Sequence, residues 1–223
     1  MEHIGTNYGG WIVPGDMKLD VVYSGGVGED MSFDIKLQSK YDCDIILIDP
    51  TAKAVKHFEE CQNYFRDRSF KFTGGIQSDY YASIENEQPN LDKFSYVQKG
   101  LWDQKDQLKF FRQDNENYVS QSLIDGMFSQ NYDIVEVDTI KNVMEANGHD
   151  HIDLLKLDIE GAEIKVINKM LDDGILPEYL CIEFDLYLKQ KDRDGSTHAL
   201  VKRLEKMGYV IIANKNMNIT FRR

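Results

Sequence analysis

Val21–Asp34 reads VVYSGGVGEDMSFD: a β-branched run, the glycines Gly25, Gly26 and Gly28, and then the acids Glu29 and Asp30. A strand over Leu19–Tyr23 that stops at glycines and passes into a short helix over Asp30–Gln38 is the opening unit of a parallel α/β sheet. Glycine there permits a tight turn and lets backbone approach a ligand that a Cβ would exclude. A dinucleotide turn has the spacing G-x-G-x-x-G. Counted from Gly26, its third glycine is replaced by Met31. Two carboxylates at the helix start also oppose a pyrophosphate, which needs free N–H groups and positive potential. A phosphate-free ligand with positive charge fits better. S-adenosylmethionine (SAM), with a sulfonium, an ammonium and one carboxylate, is such a ligand.

Outward from this turn, strands and helices alternate. Cys43–Ile48 is a short, nearly all-apolar run of the kind buried on both faces of a parallel sheet. Thr51 caps a helix whose Ala54, Val55, Phe58 and Cys61 share a face. Phe94–Lys99, Leu108–Arg112 and Val135–Val137 read as strands, the last two as additions around a polar loop. Asp153–Leu157 is a strand. The following helix carries Val166, Ile167, Met170 and Leu171 on one face and is ended by Gly174 and Pro177. Tyr179–Phe184 is a further strand. A last helix opens at Ser196 or Thr197, turns Leu200, Leu204 and Met207 inward and stops at Gly208; Tyr209–Ala213 and Asn218–Phe221 then form a hairpin. Such a pattern predicts a mostly parallel sheet with helices on both faces, and ligands bind beyond the carboxyl ends of its strands. Ser24–Asp30, Asp49, Gly100–Trp102, Asp158–Gly161 and Glu183–Asp185 all fall at strand ends.

The 223 residues suit one sizeable α/β domain, and the net charge of −12 disfavours nucleic acid and anionic lipid as partners. Cys43, Cys61 and Cys181 are sparse and lack metal-site spacing, so they read as reduced thiols. With no signal peptide and no run of roughly 20 apolar residues, the expected location is the cytoplasm.

The strings YGGWIVP, YSGGVGEDMSFD, LIDP and LLKLDIEGAEIKVI, taken in order from Tyr8, resemble the FkbM family of SAM-dependent methyltransferases. The resemblance implies a Rossmann-like class I methyltransferase fold with a mostly parallel seven-stranded sheet and a C-terminal antiparallel hairpin. It also implies methyl transfer to hydroxyl oxygens of sugars and natural products. Residues 1–18 are then an N-terminal extension packed on a catalytic domain of residues 19–223, within which 77–132 follows the family pattern least and is expected to select the substrate.

Within that frame, Ser24, Gly25, Gly26 and Gly28 form the cofactor turn. Asp30 either receives the cofactor ammonium or caps the helix. Asp49 and Pro50 end the second strand, where Asp49 is placed to accept ribose hydroxyls or, alternatively, to cap the next helix. Leu101 and Trp102 flank the adenine, and Asp158 borders both cofactor and acceptor. A hydroxyl acceptor needs a base. Asp158 is preferred, with Glu160, Asp185, Glu183 and His198 as the other candidates. Glu183 and Asp185 alternate about Phe184 and project together, so with Asp158 they could hold Mg²⁺ against a vicinal diol; the preferred reading uses no metal. Tyr8, Trp11, Tyr80 and Tyr81 offer aromatic faces to a sugar ring, with core packing as the plainer reading. The acceptor is a small molecule or glycan hydroxyl. Two other classes are the alternatives: a methyltransferase-fold scaffold within a larger polypeptide, and a nicotinamide-dependent oxidoreductase, which the missing glycine and the acids disfavour.

Overall fold

A computed structural model describes residues 1–114, 120–189, 191–192 and 194–223. The chain opens with a short hairpin, β1 (Glu2–Ile4) and β2 (Trp11–Val13). Next come β3 (Val21–Gly25), α1 (Ser32–Tyr41), β4 (Asp44–Ile48), α2 (Ala52–Arg66) and α3 (Tyr80–Ile84), leading into β5 (Phe94–Val97). An added segment holds β6 (Gly100–Leu101), β7 (Asp106–Arg112), β8 (Gln121–Ser122) and β9 (Tyr132–Asp138). The main alternation resumes with α4 (Ile140–Asn147), β10 (Leu154–Leu157), α5 (Glu163–Asp172) and β11 (Tyr179–Glu183). It closes with α6 (Asp185–Leu188), α7 (Ser196–Lys206), β12 (Val210–Lys215) and β13 (Asn218–Arg222).

The seven-stranded sheet has the order β12-β13-β11-β10-β3-β4-β5. Only β13 runs antiparallel to its neighbours, so the C-terminal hairpin is where expected. The sheet is Rossmann-like, and its strands are apolar on both faces because both are covered. Along β3, Val21 and Tyr23 enter one core with α4, α5 and α7, while Val22 enters the other with α1, α2 and the N-terminal hairpin. From β3 the chain winds outward to β4 and β5, and from β10 it winds the other way. The crevice between the loops after β3 and β10 is therefore the switch point at which such sheets bind ligands.

Several boundaries and faces differ from the sequence expectation. On α2 the buried residues are Ala54, His57, Glu60, Cys61 and Tyr64, whereas Val55 and Phe58 are half-buried. The face is rotated because the segment after α2 packs on it through an aromatic cluster of Tyr64, Phe72, Tyr80 and Tyr81. Tyr80 is fully buried, its hydroxyl 2.8 Å from His57 Nε2, and Trp11 is buried under the N-terminal hairpin. Neither is a stacking surface. On α7, Met207 is exposed, not inward, since the helix ends there and the chain turns at Gly208 into β12. Helix α7 starts after Gly195. Its first amides are served by Asp194, whose Oδ1 accepts from Ser196 N (3.0 Å), and by Asp192, which accepts from Thr197 N (3.2 Å) and also from the Ser196 hydroxyl (2.9 Å).

His57 carries a testable consequence. Burial lowers its pKa from 6.5 to about 4, and its Nδ1 has no hydrogen-bond partner among the described residues. The folded state therefore holds it neutral while the unfolded state takes a proton below pH 6.5. Stability should fall as pH drops from about 6.5 to about 4, by about 3 kcal/mol in total. Denaturant unfolding against pH checks this, and His57→Asn should flatten that part of the profile.

Candidate active site

A cavity of about 530 Å³ opens at the carboxyl ends of β3, β4, β10 and β11. Its floor is the glycine turn. Gly26 sits at φ +77° and Gly28 at φ +55°, backbone that L side chains rarely adopt. A Cβ on Gly26 would lie 1.7 Å from the Asp158 carbonyl oxygen. Gly25 and Asp158 are joined directly, Asp158 N donating to Gly25 O at 3.1 Å. The two sides of the switch point thus meet backbone to backbone. Ser24 and Gly25 are buried in β3 and do not line the cavity, whereas Gly26, Val27 and Gly28 do.

Two side chains brace this turn. Lys156, buried in β10, donates from Nζ to the carbonyls of Gly25 and Gly26. Asp49, at the end of β4, accepts through Oδ2 from Val27 N (2.9 Å) and Gly28 N (3.1 Å). Its Oδ1 accepts from Thr51 N (2.8 Å) and Thr51 Oγ1 (2.7 Å). A carboxylate offers about four lone-pair sites, and all four are engaged by the chain itself. Asp49 still borders the cavity, with Pro50 and Thr51 beside it. Thr51 meanwhile caps α2 by accepting from Ala54 N, as its sequence position implied.

The acids after the glycines tie neighbouring segments to the turn. Asp30 Oδ2 accepts from Thr6 Oγ1 (2.5 Å) and Oδ1 from Ser32 N (2.9 Å), which pins the N-terminal hairpin to the start of α1. Glu29 accepts from Gly75 N at 3.3 Å. Both carboxylates also line the cavity. On the far side the wall comes from the added sheet, through Leu101, Phe110, Ser120, Gln121 and Leu123. Trp102 does not reach the cavity: it packs against the core, with Lys165 Nζ 4.8 Å from its ring centre.

Acidic side chains gather at the other end of the cavity. Asp158 follows β10, Glu183 ends β11 and Asp185 opens α6, and each offers an oxygen within 4.8 Å of the others. Glu183 and Asp185 belong to different elements, not to one strand, yet the strand-to-helix turn brings them together. Glu160 joins them at φ +54°, linked with Asp185 by Lys189, whose Nζ donates to both carboxylates. Burial and the Asp158 charge push the Glu183 carboxyl well above the usual carboxylate range. Burial, reinforced by Glu160 and Asp158, raises Asp185 as well. Behind them Glu163 is fully buried and raised to about 8, by burial first and then by the Asp185 charge. Tyr8, exposed at the cavity mouth, completes the lining with Gly9. His198 is exposed on α7 and is not part of the cavity.

Lys156, Lys189 and Glu163 were not singled out from the sequence. Lys156 had a signal, a single charge inside Leu154–Leu157, a run that should be buried on both faces. Lys189 and Glu163 had none, since each lies among ordinary helical charges.

A Rossmann-like sheet with an acid-lined cavity over its glycine turn is the architecture of a class I methyltransferase. The family model described as the methyltransferase FkbM domain matches residues 28–211, and the chain belongs to that family. No curated protein and no solved structure matches the chain. Among the described residues, no helix is long and apolar enough to cross a membrane.

Proposed function

We propose that the protein is a SAM-dependent O-methyltransferase whose acceptor is a hydroxyl, most naturally that of a sugar in a glycan, glycoconjugate or natural product. The observation that carries this reading is the glycine turn: Gly26 and Gly28 line the cavity with bare backbone, and the acids Glu29 and Asp30 border it instead of phosphate-binding cations. Those residues fit a phosphate-free cationic cofactor. When bound, SAM supplies an electrophilic methyl group on a positively charged sulfur.

The chain's own residues then have separable tasks. Gly26 and Gly28 give close backbone approach, and Asp30 offers negative charge for the ammonium. Asp49 holds the turn in shape, so ribose hydroxyls would meet a carboxylate already fixed by four protein donors. Leu101 covers the base. Asp158, with Glu160 beside it, faces the acceptor and would take the hydroxyl proton as the oxygen–carbon bond forms and the carbon–sulfur bond breaks, leaving the sulfur neutral. Phe110, Ser120 and Gln121 of the added sheet are the surfaces on which acceptor choice would rest.

Isothermal titration calorimetry tests the cofactor assignment. S-adenosylhomocysteine should bind at micromolar concentration and NADH should not. A folded sample that binds neither SAM nor S-adenosylhomocysteine would overturn the reading. Asp49→Ala removes an anchor accepting four hydrogen bonds and should weaken binding by about 10- to 100-fold. Mass spectrometry of candidate glycans incubated with SAM, read for the gain of one methylene, identifies the acceptor.

A further inference from the structure

We infer that the acidic end of the cavity is a divalent-cation site, with Asp158, Glu183 and Asp185 as ligands for a hard, oxygen-seeking metal such as Mg²⁺, Mn²⁺ or Ca²⁺. Three carboxylate oxygens from three separate elements converge within 4.8 Å of one another. Two ligands of one ion lie no farther apart than twice the metal–oxygen distance, roughly 4.2 Å for Mg²⁺ and ~5 Å for Ca²⁺. The spacing lies within the limit for the larger ions.

A second observation points to a missing partner. The Asp185 side chain is only 4% exposed; Lys189 engages its Oδ1, but its Oδ2 is buried with no hydrogen-bond partner among the described residues. Buried carboxylate oxygens are rarely left unpaired, because desolvation without a compensating bond is costly. The charge count agrees. Asp158, Glu160, Glu183 and Asp185 all line the cavity against two lysines, and Lys156 is turned toward the carbonyls of the glycine turn. That leaves Lys189 as the counter-charge the structure shows within this cluster.

The inference rests on the methyltransferase reading for its purpose. An ion held there keeps coordination positions open toward the cavity, where two adjacent oxygens of a polyol acceptor can enter. Coordination lowers the pKa of a hydroxyl. Asp158 then serves as a ligand, and the proton passes to Glu160. The other group with this geometry, Asp20, His151 and Asp153, is largely exposed, and Asp153 Oδ2 already accepts from Asp20 N and Val21 N.

Mn²⁺ binding to the full chain, followed by electron paramagnetic resonance with S-adenosylhomocysteine present, tests the site. One saturable Mn²⁺ per chain is expected, displaced by Mg²⁺ or Ca²⁺ in competition arms that rank the ions. Glu183→Gln and Asp185→Asn should each weaken Mn²⁺ at least tenfold, and Asp20→Asn should leave it unchanged. S-adenosylhomocysteine titration of each variant serves as the folding control. No saturable Mn²⁺ binding by the wild-type chain, or binding unaltered in both cavity variants, would overturn the inference. Retained S-adenosylhomocysteine binding in that case leaves the methyltransferase reading standing, so the two failures are distinguishable.

Discussion

Asp158→Asn should lower turnover by about 10²- to 10⁴-fold while S-adenosylhomocysteine still binds. The substitution is nearly isosteric, and the backbone bond from Asp158 N to Gly25 O does not involve the side chain. The loop that shapes the glycine turn therefore survives. What is lost is the negative charge at the cavity's acidic end, in contact range of Glu183 and Asp185. An amide can neither take a proton nor hold a cation as a carboxylate does, so turnover falls whether Asp158 acts as base or as metal ligand. Steady-state kinetics alongside calorimetry checks it. Turnover within threefold of wild type would remove Asp158 from the chemistry. Glu160→Gln separates the two roles: with a metal-ligating Asp158 it should reduce turnover comparably, and with Asp158 as the base much less.

Gly26→Ala should be severely damaging. Its Cβ would sit 1.7 Å from the Asp158 carbonyl oxygen, a backbone atom that cannot swing aside, at a φ of +77°. Left-handed backbone costs an L residue roughly 1–2 kcal/mol, and overpacking adds typically 1–3 kcal/mol, for a total of about 2–5 kcal/mol. The loops after β3 and β10 must separate, so cofactor affinity should fall with stability. Chemical denaturation and S-adenosylhomocysteine titration of the same sample test both. Gly126, by contrast, has no atom of the described residues within 4 Å of its would-be Cβ, and at a similar φ its alanine variant should show only the backbone part of that cost.

Much of the fold was legible because parallel strands buried on both faces leave an unmistakable pattern. Ile45–Ile48 and Leu154–Leu157 have no other stable place than the interior of a covered sheet. The site was legible to the extent that it follows strand ends: the glycine turn, Asp49, Asp158, Glu183 and Asp185 lie on the cavity or beside it. Trp102 and His198 were misplaced for a common reason. Position near a strand end or helix start says nothing about which way a side chain turns, and both turn away. For Tyr80 the plainer reading, core packing, holds, because its partners, His57, Cys61 and Phe72, are brought to it by α2 and the segment after it.

By itself, the sequence determined the alternation, the switch point and a turn too acidic for a pyrophosphate, since these depend on neighbours along the chain. The tertiary structure alone decided how charges pair across elements. It turned Lys156 onto the glycine carbonyls and gave Asp49 four donors. It set Lys189 between Glu160 and Asp185, and it left Asp185 Oδ2 buried and unpaired beside two further carboxylates. The physical reason is that a hydrogen bond or an ion pair depends on distances of a few ångströms between groups far apart in sequence. Only the packed sheet and its loops establish those distances.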